Sequence, residues 1–124
     1  MDFLAQSDLN SDSFTPEQPF AGSSDIVTKP DTLASGQNLA QYAVVARITA
    51  SGLLTVWNPA GNNGSQYAVG ILCHAVNASS ANKACEIYTG GSFNTAALVW
   101  PNGTTDAQKA SAFDRTNIQI RTLG

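Results

Sequence analysis

The residues with the widest chemical reach are few. His74, the one histidine, stands beside Cys73, and Cys85 follows on the next apolar stretch. Two thiols and an imidazole can make a three-ligand metal site, but nothing here has the Cys-x-x-Cys spacing of such sites. His74 is therefore expected to be a partly buried structural residue. A Cys/His nucleophile pair is also unfavourable, because neighbours on a strand point to opposite faces and Cys73 cannot readily hydrogen-bond His74. The body's acids, Glu86, Asp106 and Asp114, show no spacing that pairs two carboxylates. Gly90-Gly91-Ser92 lacks the further glycine and the lysine of a phosphate loop, and is expected to be a turn or bulge between strands. Asn63-Gly64-Ser65, Asn77-Ala78-Ser79 and Asn102-Gly103-Thr104 match the glycosylation pattern and read as turns. The sequence thus nominates no catalytic, metal-binding or cofactor-binding residue, and no cofactor.

The elements that position these residues centre on 67–101. The apolar run Tyr67-Ala68-Val69-Gly70-Ile71-Leu72-Cys73 and a second run through Ile87-Tyr88 read as strands, closed by Leu98-Val99-Trp100-Pro101. If the two runs pair as a hairpin across the turn near Ser79-Ser80, the thiols fall on facing strands close to the same level. A bridge is then geometrically open, but free buried thiols are expected of a cytosolic product. Before this block, Tyr42-Ala43-Val44-Val45-Ala46-Arg47-Ile48 and Leu53-Leu54-Thr55-Val56-Trp57 predict a hairpin around Ser51-Gly52. The turn-rich segment 58–65 predicts a surface loop. After the block, Thr105 with Gln108 forms a capping box for a helix over 106–113, with Ala107, Ala110 and Phe113 on one face. Ile118-Gln119-Ile120-Arg121 alternates as a half-buried strand. Trp57 and Trp100 each end an apolar run and are expected in the core or an interface.

Charge divides the chain. Residues 1–31 carry six acids against Lys29, a balance of −5, whereas the remainder carries three acids against five cations, +2. Five scattered cations give no clustered basic face, so no direct nucleic-acid partner is expected. With no apolar run of membrane-spanning length and no basic leader before an apolar stretch, a soluble protein that folds where it is made is expected. Pro16, Pro19 and Pro30 forbid a continuous helix in 1–31, and the spaced Phe3, Phe14 and Phe20 cannot build a core. This segment reads as an extended arm, with a reach on the order of 100 Å. Residues 32–124 read as one small body of short strands, many loops and one helix. A body of this size gains from oligomerisation.

Gly90-Gly91-Ser92-Phe93 with Leu98-Val99-Trp100-Pro101, preceded by Ala68-Val69-Gly70-Ile71-Leu72, resembles the lambda protein D family of phage head decoration proteins. The resemblance continues in order through Leu53-Leu54-Thr55-Val56-Trp57, the helix over 106–113 and Ile118-Gln119-Ile120. It is strong over 32–124 and weak in the arm, where Phe14-Thr15 followed by Pro19 is its best feature. It implies a mainly β, loop-rich, β-clip-like body with one short helix, preceded by an N-terminal arm. It also implies a homotrimer at threefold and quasi-threefold sites on the outside of a tailed-phage head, cementing neighbouring major capsid proteins. In that setting the arm adds a strand to the capsid protein, with Phe3, Phe14, Thr15, Pro16, Pro19 and Phe20 as capsid-binding residues. Trp57, Ile71, Leu72, Phe93, Leu98, Trp100 and Pro101 then belong to the core or the trimer interface. The implied location is the virion surface, after synthesis in the host cytoplasm, with no membrane partner and no enzymatic activity. The longer acidic arm, the two cysteines and the larger loop at 59–65 depart from the family pattern. The competing reading is a virion-surface carbohydrate- or receptor-binding β module, which requires exposed tryptophans. A small β-clip enzyme is a third, and lacks a catalytic constellation.

Overall fold

The computed structural model describes residues 26–121. These form eight strands: β1 (Val27–Leu33), β2 (Gln37–Leu39), β3 (Val44–Arg47), β4 (Leu54–Val56), β5 (Ala68–Leu72), β6 (Val76–Ala78), β7 (Lys83–Asn94) and β8 (Asn117–Arg121). A 3-10 turn, Thr95–Ala97, and one helix, α1 (Asp106–Ser111), complete the body. The described residues are mainly β, with 46% strand. Among the described residues no helix is long and apolar enough to cross a membrane.

The sheet closes on itself. Strands run in the order β1-β4-β3-β5-β7, and β1 returns to pair with β7, so five strands form a barrel that β8 extends beside β7. Each barrel strand sends one large aliphatic inward: Leu33, Leu54, Val45, Leu72 and Ile87, all fully buried and joined by Ala43 and Ala78. Period-two alternation sends the next residues outward. There Val44, Ala46, Trp57, Ala68, Ile71, Phe93, Leu98, Phe113 and Ile118 form a second core beneath the C-terminal segments. A separate β2–β6 ribbon packs Leu39 and Val76 against the barrel core.

The expected hairpin is present as β3 and β4, with Val45 opposite Val56 and Arg47 opposite Leu54. The two central runs pair as β5 and β7, with Ile71 opposite Tyr88 and Leu72 opposite Ile87, but β6 intervenes in the connection. The Gly90-Gly91 turn does not occur: β7 runs through both glycines to Asn94. The bulge half of that expectation holds, because the β1–β7 register skips Thr89 between the Thr28–Tyr88 and Val27–Gly90 pairs. Glycine serves here because a Cβ at Gly90 would crowd Val27 Cγ2 at 3.3 Å, and Gly91 has φ +128°.

At the C-terminal end the capping box is formed. Thr105 Oγ1 accepts from the Gln108 N–H at 3.1 Å, and Gln108 Oε1 accepts from the Thr105 N–H at 2.9 Å. The helix stops at Ser111, two residues short of the expected end, and Phe113 enters the core from the following turn. Ala107 and Ala110 are exposed, so the shared apolar face expected of this helix is not buried in the body. On β8, Ile118 is buried and Ile120 half-buried, as the alternation requires. The barrel includes residues 27–31, which lie on the arm side of the division at residue 32.

Candidate functional site

The reactive side chains do not converge. Cys73 continues the β5–β7 ladder, its N–H donating to the Glu86 carbonyl at 2.9 Å. Its thiol lies with Tyr88, on the face of Ile71 and the outer core. Burial, followed by the negative charge of Glu86, pushes this thiol up to about 11, and burial pushes the Tyr88 hydroxyl up to about 12. Cys85 lies on the other face of β7, against the barrel core, and burial together with the charge of Asp31 raises its thiol as well. Both cysteines are free, and the pleat turns them away from each other. They do fall on facing strands close to the same level, and the one-residue offset sends their side chains to opposite faces.

His74 is exposed, which corrects the partly buried position expected for it. The apolar run ends at Cys73, and His74 falls in the bend that leads to β6. Among the described residues no group of three or more His, Cys, Asp and Glu side chains is placed to hold a metal ion.

The aromatic residues are committed to packing. Trp57 is only 3% exposed and meets Trp100 edge-on at 5.7 Å, and Trp100 in turn contacts Phe113 at 6.1 Å. Both indole N–H groups are satisfied, Trp57 by the Gln66 carbonyl at 2.9 Å and Trp100 by the Thr95 carbonyl at 3.0 Å. Ile71, Leu72, Phe93 and Leu98 are buried, while Trp100 and Pro101 are half-buried. Among the described residues the exposed ring is Tyr67, and the Arg115 guanidinium covers it at 4.0 Å from the centroid. A shallow groove of about 410 Å³ borders that pair, lined also by Trp57, Pro59 and Gln108. Gln66, Ser111 and Asp114 complete its polar lining.

Two further features lie where the arm meets the barrel. Ile26 and Val27 are 41% and 50% exposed, an apolar pair at the start of β1. Asp31, four residues on, receives both prongs of Arg47, Nη1 to Oδ1 at 3.1 Å and Nη2 to Oδ2 at 2.6 Å. Arg47 Nη1 also donates to the Gly52 carbonyl at 2.7 Å, and Lys29 approaches Asp31 at 3.6 Å. Burial alone would raise the Asp31 pKa, but the Arg47 and Thr32 hydrogen bonds outweigh it and hold the carboxyl below its ordinary value. Sequence reasoning missed this pair by assigning Asp31 to the arm's charge. The available signal was an arginine at the end of an otherwise apolar strand. The arm residues Phe3, Phe14, Thr15, Pro16, Pro19 and Phe20 lie outside the described residues.

The described residues form a closed, double-cored β body with an apolar pair at the start of β1. The family described as bacteriophage lambda head decoration protein D matches residues 15–120, and the chain belongs to that family. The match starts at Thr15, within the Phe14-Thr15 and Pro19 stretch where the resemblance in the arm was noted. No curated protein matches the chain closely enough to add to this comparison. Membership makes the chain a phage head decoration protein, a structural component of the virion capsid.

Proposed function

We propose that the protein binds as a homotrimer to the outer surface of a tailed-phage head, at threefold and quasi-threefold sites, and cements neighbouring major capsid proteins. The observation that carries this reading is the family match over 15–120, which spans much of the arm together with the body. The chemistry of decoration is adhesion under load. It calls for a body that does not deform and a segment that grips, and it uses no catalysis, cofactor, metal, nucleic acid or membrane contact.

The barrel supplies the first requirement through two packed cores sharing one set of strands. The arm ahead of β1 supplies the second by strand addition to the capsid protein, with Phe3, Phe14, Thr15, Pro16, Pro19 and Phe20 filling shallow pockets. The exposed Ile26 and Val27 continue that apolar series to the barrel. Trp100 and Pro101, half-buried in one copy, are available to trimer contacts. Many copies on one closed shell turn modest individual contacts into lasting retention. The protein is made in the host cytoplasm before it joins the head. The burial of Trp57 and the edge-on packing of half-buried Trp100 against it argue against a carbohydrate-binding face.

The arm is tested by co-sedimentation of undecorated shells with the full chain and with a chain lacking residues 2–25. That truncation leaves β1 intact, whereas removal through residue 31 would take part of the barrel with it. The shortened protein is expected to stay folded and lose shell binding; undiminished binding would sink the arm's role.

A further inference from the structure

The pairing of β1 with β4 is confined to Leu33 opposite Leu54, so before Leu33 the edge of β1 away from β7 has no neighbouring strand, and its backbone groups are arranged against the addition of one. The Glu86 carbonyl accepts from the Cys73 N–H at 2.9 Å, so the main-chain groups of Glu86 face β5. Pro30 lies directly opposite Glu86 and is therefore in a pair that exchanges no hydrogen bonds, with its own main chain facing away from β7. The same alternation turns Thr28 and Thr32 outward.

Of these three outward residues, Pro30 has no N–H to donate. The Thr32 N–H is taken by Asp31 Oδ1 at 2.9 Å, and Arg47 fixes that carboxylate from the other side. The next outward donor, the Ala34 N–H, is bound to the Leu54 carbonyl at 2.9 Å. Only Thr28 keeps an outward N–H with no partner among the described residues. A strand laid along this edge would meet one usable donor, then a proline, then a donor already engaged.

We propose that Pro30 and the Asp31–Thr32 contact close the outer edge of β1 to strand addition. Two copies of the chain then do not pair edge to edge through their barrels, and a partner strand added along the segment before Val27 stops at Thr28. The second consequence rests on the strand-addition reading of the arm. The first rests on the barrel alone.

The test uses the free full chain without shells, so its outcome is independent of head binding. Pro30→Val restores an outward N–H on a strand-forming residue, and in a twofold antiparallel pairing each copy gains one bond. The variant is expected to self-associate about tenfold more strongly than the parent in sedimentation equilibrium. A folded variant that sediments like the parent over the same concentrations overturns the proposal. A second measurement covers a variant that does not fold: amide exchange in the parent. The Thr32 amide is expected to exchange at least about tenfold more slowly than that of Thr28, and Asp31→Ala to abolish the difference. Equal exchange of the two amides in the parent also overturns it.

Discussion

Arg47 reaches past β4 to hold Asp31 with two parallel hydrogen bonds, at 3.1 and 2.6 Å, and so ties β1 to β3 at the rim of the barrel. The Asp31 side chain is 10% exposed and that of Arg47 33%, so solvent screens the pair only in part. Removing Arg47 leaves a mostly enclosed carboxylate beside a hydrogen-bonded Thr32 amide. Arg47→Met is expected to cost about 1–3 kcal/mol, read as a lowered urea midpoint with unchanged slope.

The same pair sets an acid limb. Asp31 has a folded pKa below its ordinary 3.8, so its contribution is present above that value and is lost as pH falls through the lower folded value. Stability should therefore decline below about pH 4 more steeply in the parent than in Asp31→Asn. Parallel acid limbs in the two proteins would assign the decline to other carboxylates.

An alkaline limb follows from the thiol and phenol. Cys73 is raised from 9.0 to about 11 and Tyr88 from 10.0 to about 12, so both favour the folded state while neutral. That contribution is complete below pH 9 and is lost as pH rises through the folded values. Cys73→Ser is expected to flatten the onset of this decline. Thiol titration in denaturant without reductant is expected to give two free thiols, with Cys73 reacting slowly in the native protein. A bridged species would contradict the opposite-face placement of the two side chains.

The loop before β5 depends on Gly64. Its φ is +102°, and a Cβ there would stand 2.4 Å from the Arg47 carbonyl oxygen and 2.5 Å from Thr49 Oγ1. Gly64→Ala combines an unfavourable backbone with a clash against main chain, and is expected to cost about 2–4 kcal/mol in thermal or urea unfolding. A neutral result would mean that the loop rearranges freely and does not brace β3.

Much of the body was legible because its signals are local. The β3–β4 hairpin follows from two strand-forming runs around Ser51-Gly52, the helix start from Thr105 and Gln108, and β8 from the alternation of Ile118 and Ile120. Closure of the barrel was not legible, because β1 carries Lys29, Pro30 and Asp31 and its partners lie fifty or more residues away on β7. Only the tertiary pairing turns that polar segment into a strand. Gly90 and Gly91 misled for a related reason: glycine usually interrupts a strand, but here it admits the close approach of β1. His74 was judged by its apolar neighbours, although the strand ends before it. As for the site, the arm residues lie outside the described residues, and the Arg47–Asp31 clamp needed a contact across sixteen residues of sequence.

The arm's charge gives a kinetic expectation. Asp31 is neutralised by Arg47, which leaves the acids nearer the N-terminus to act at a distance. If they steer the arm to a basic capsid surface, association with shells slows as salt rises. A salt-independent on-rate would remove steering while leaving the docking itself intact.

The most direct measurement is imaging of undecorated phage shells reconstituted with the full-length protein. Added density is expected as three-lobed knobs on the outer surface at threefold and quasi-threefold positions, each contacting adjacent capsid proteins. Shells that acquire no such density, or acquire it away from those positions, would contradict the account.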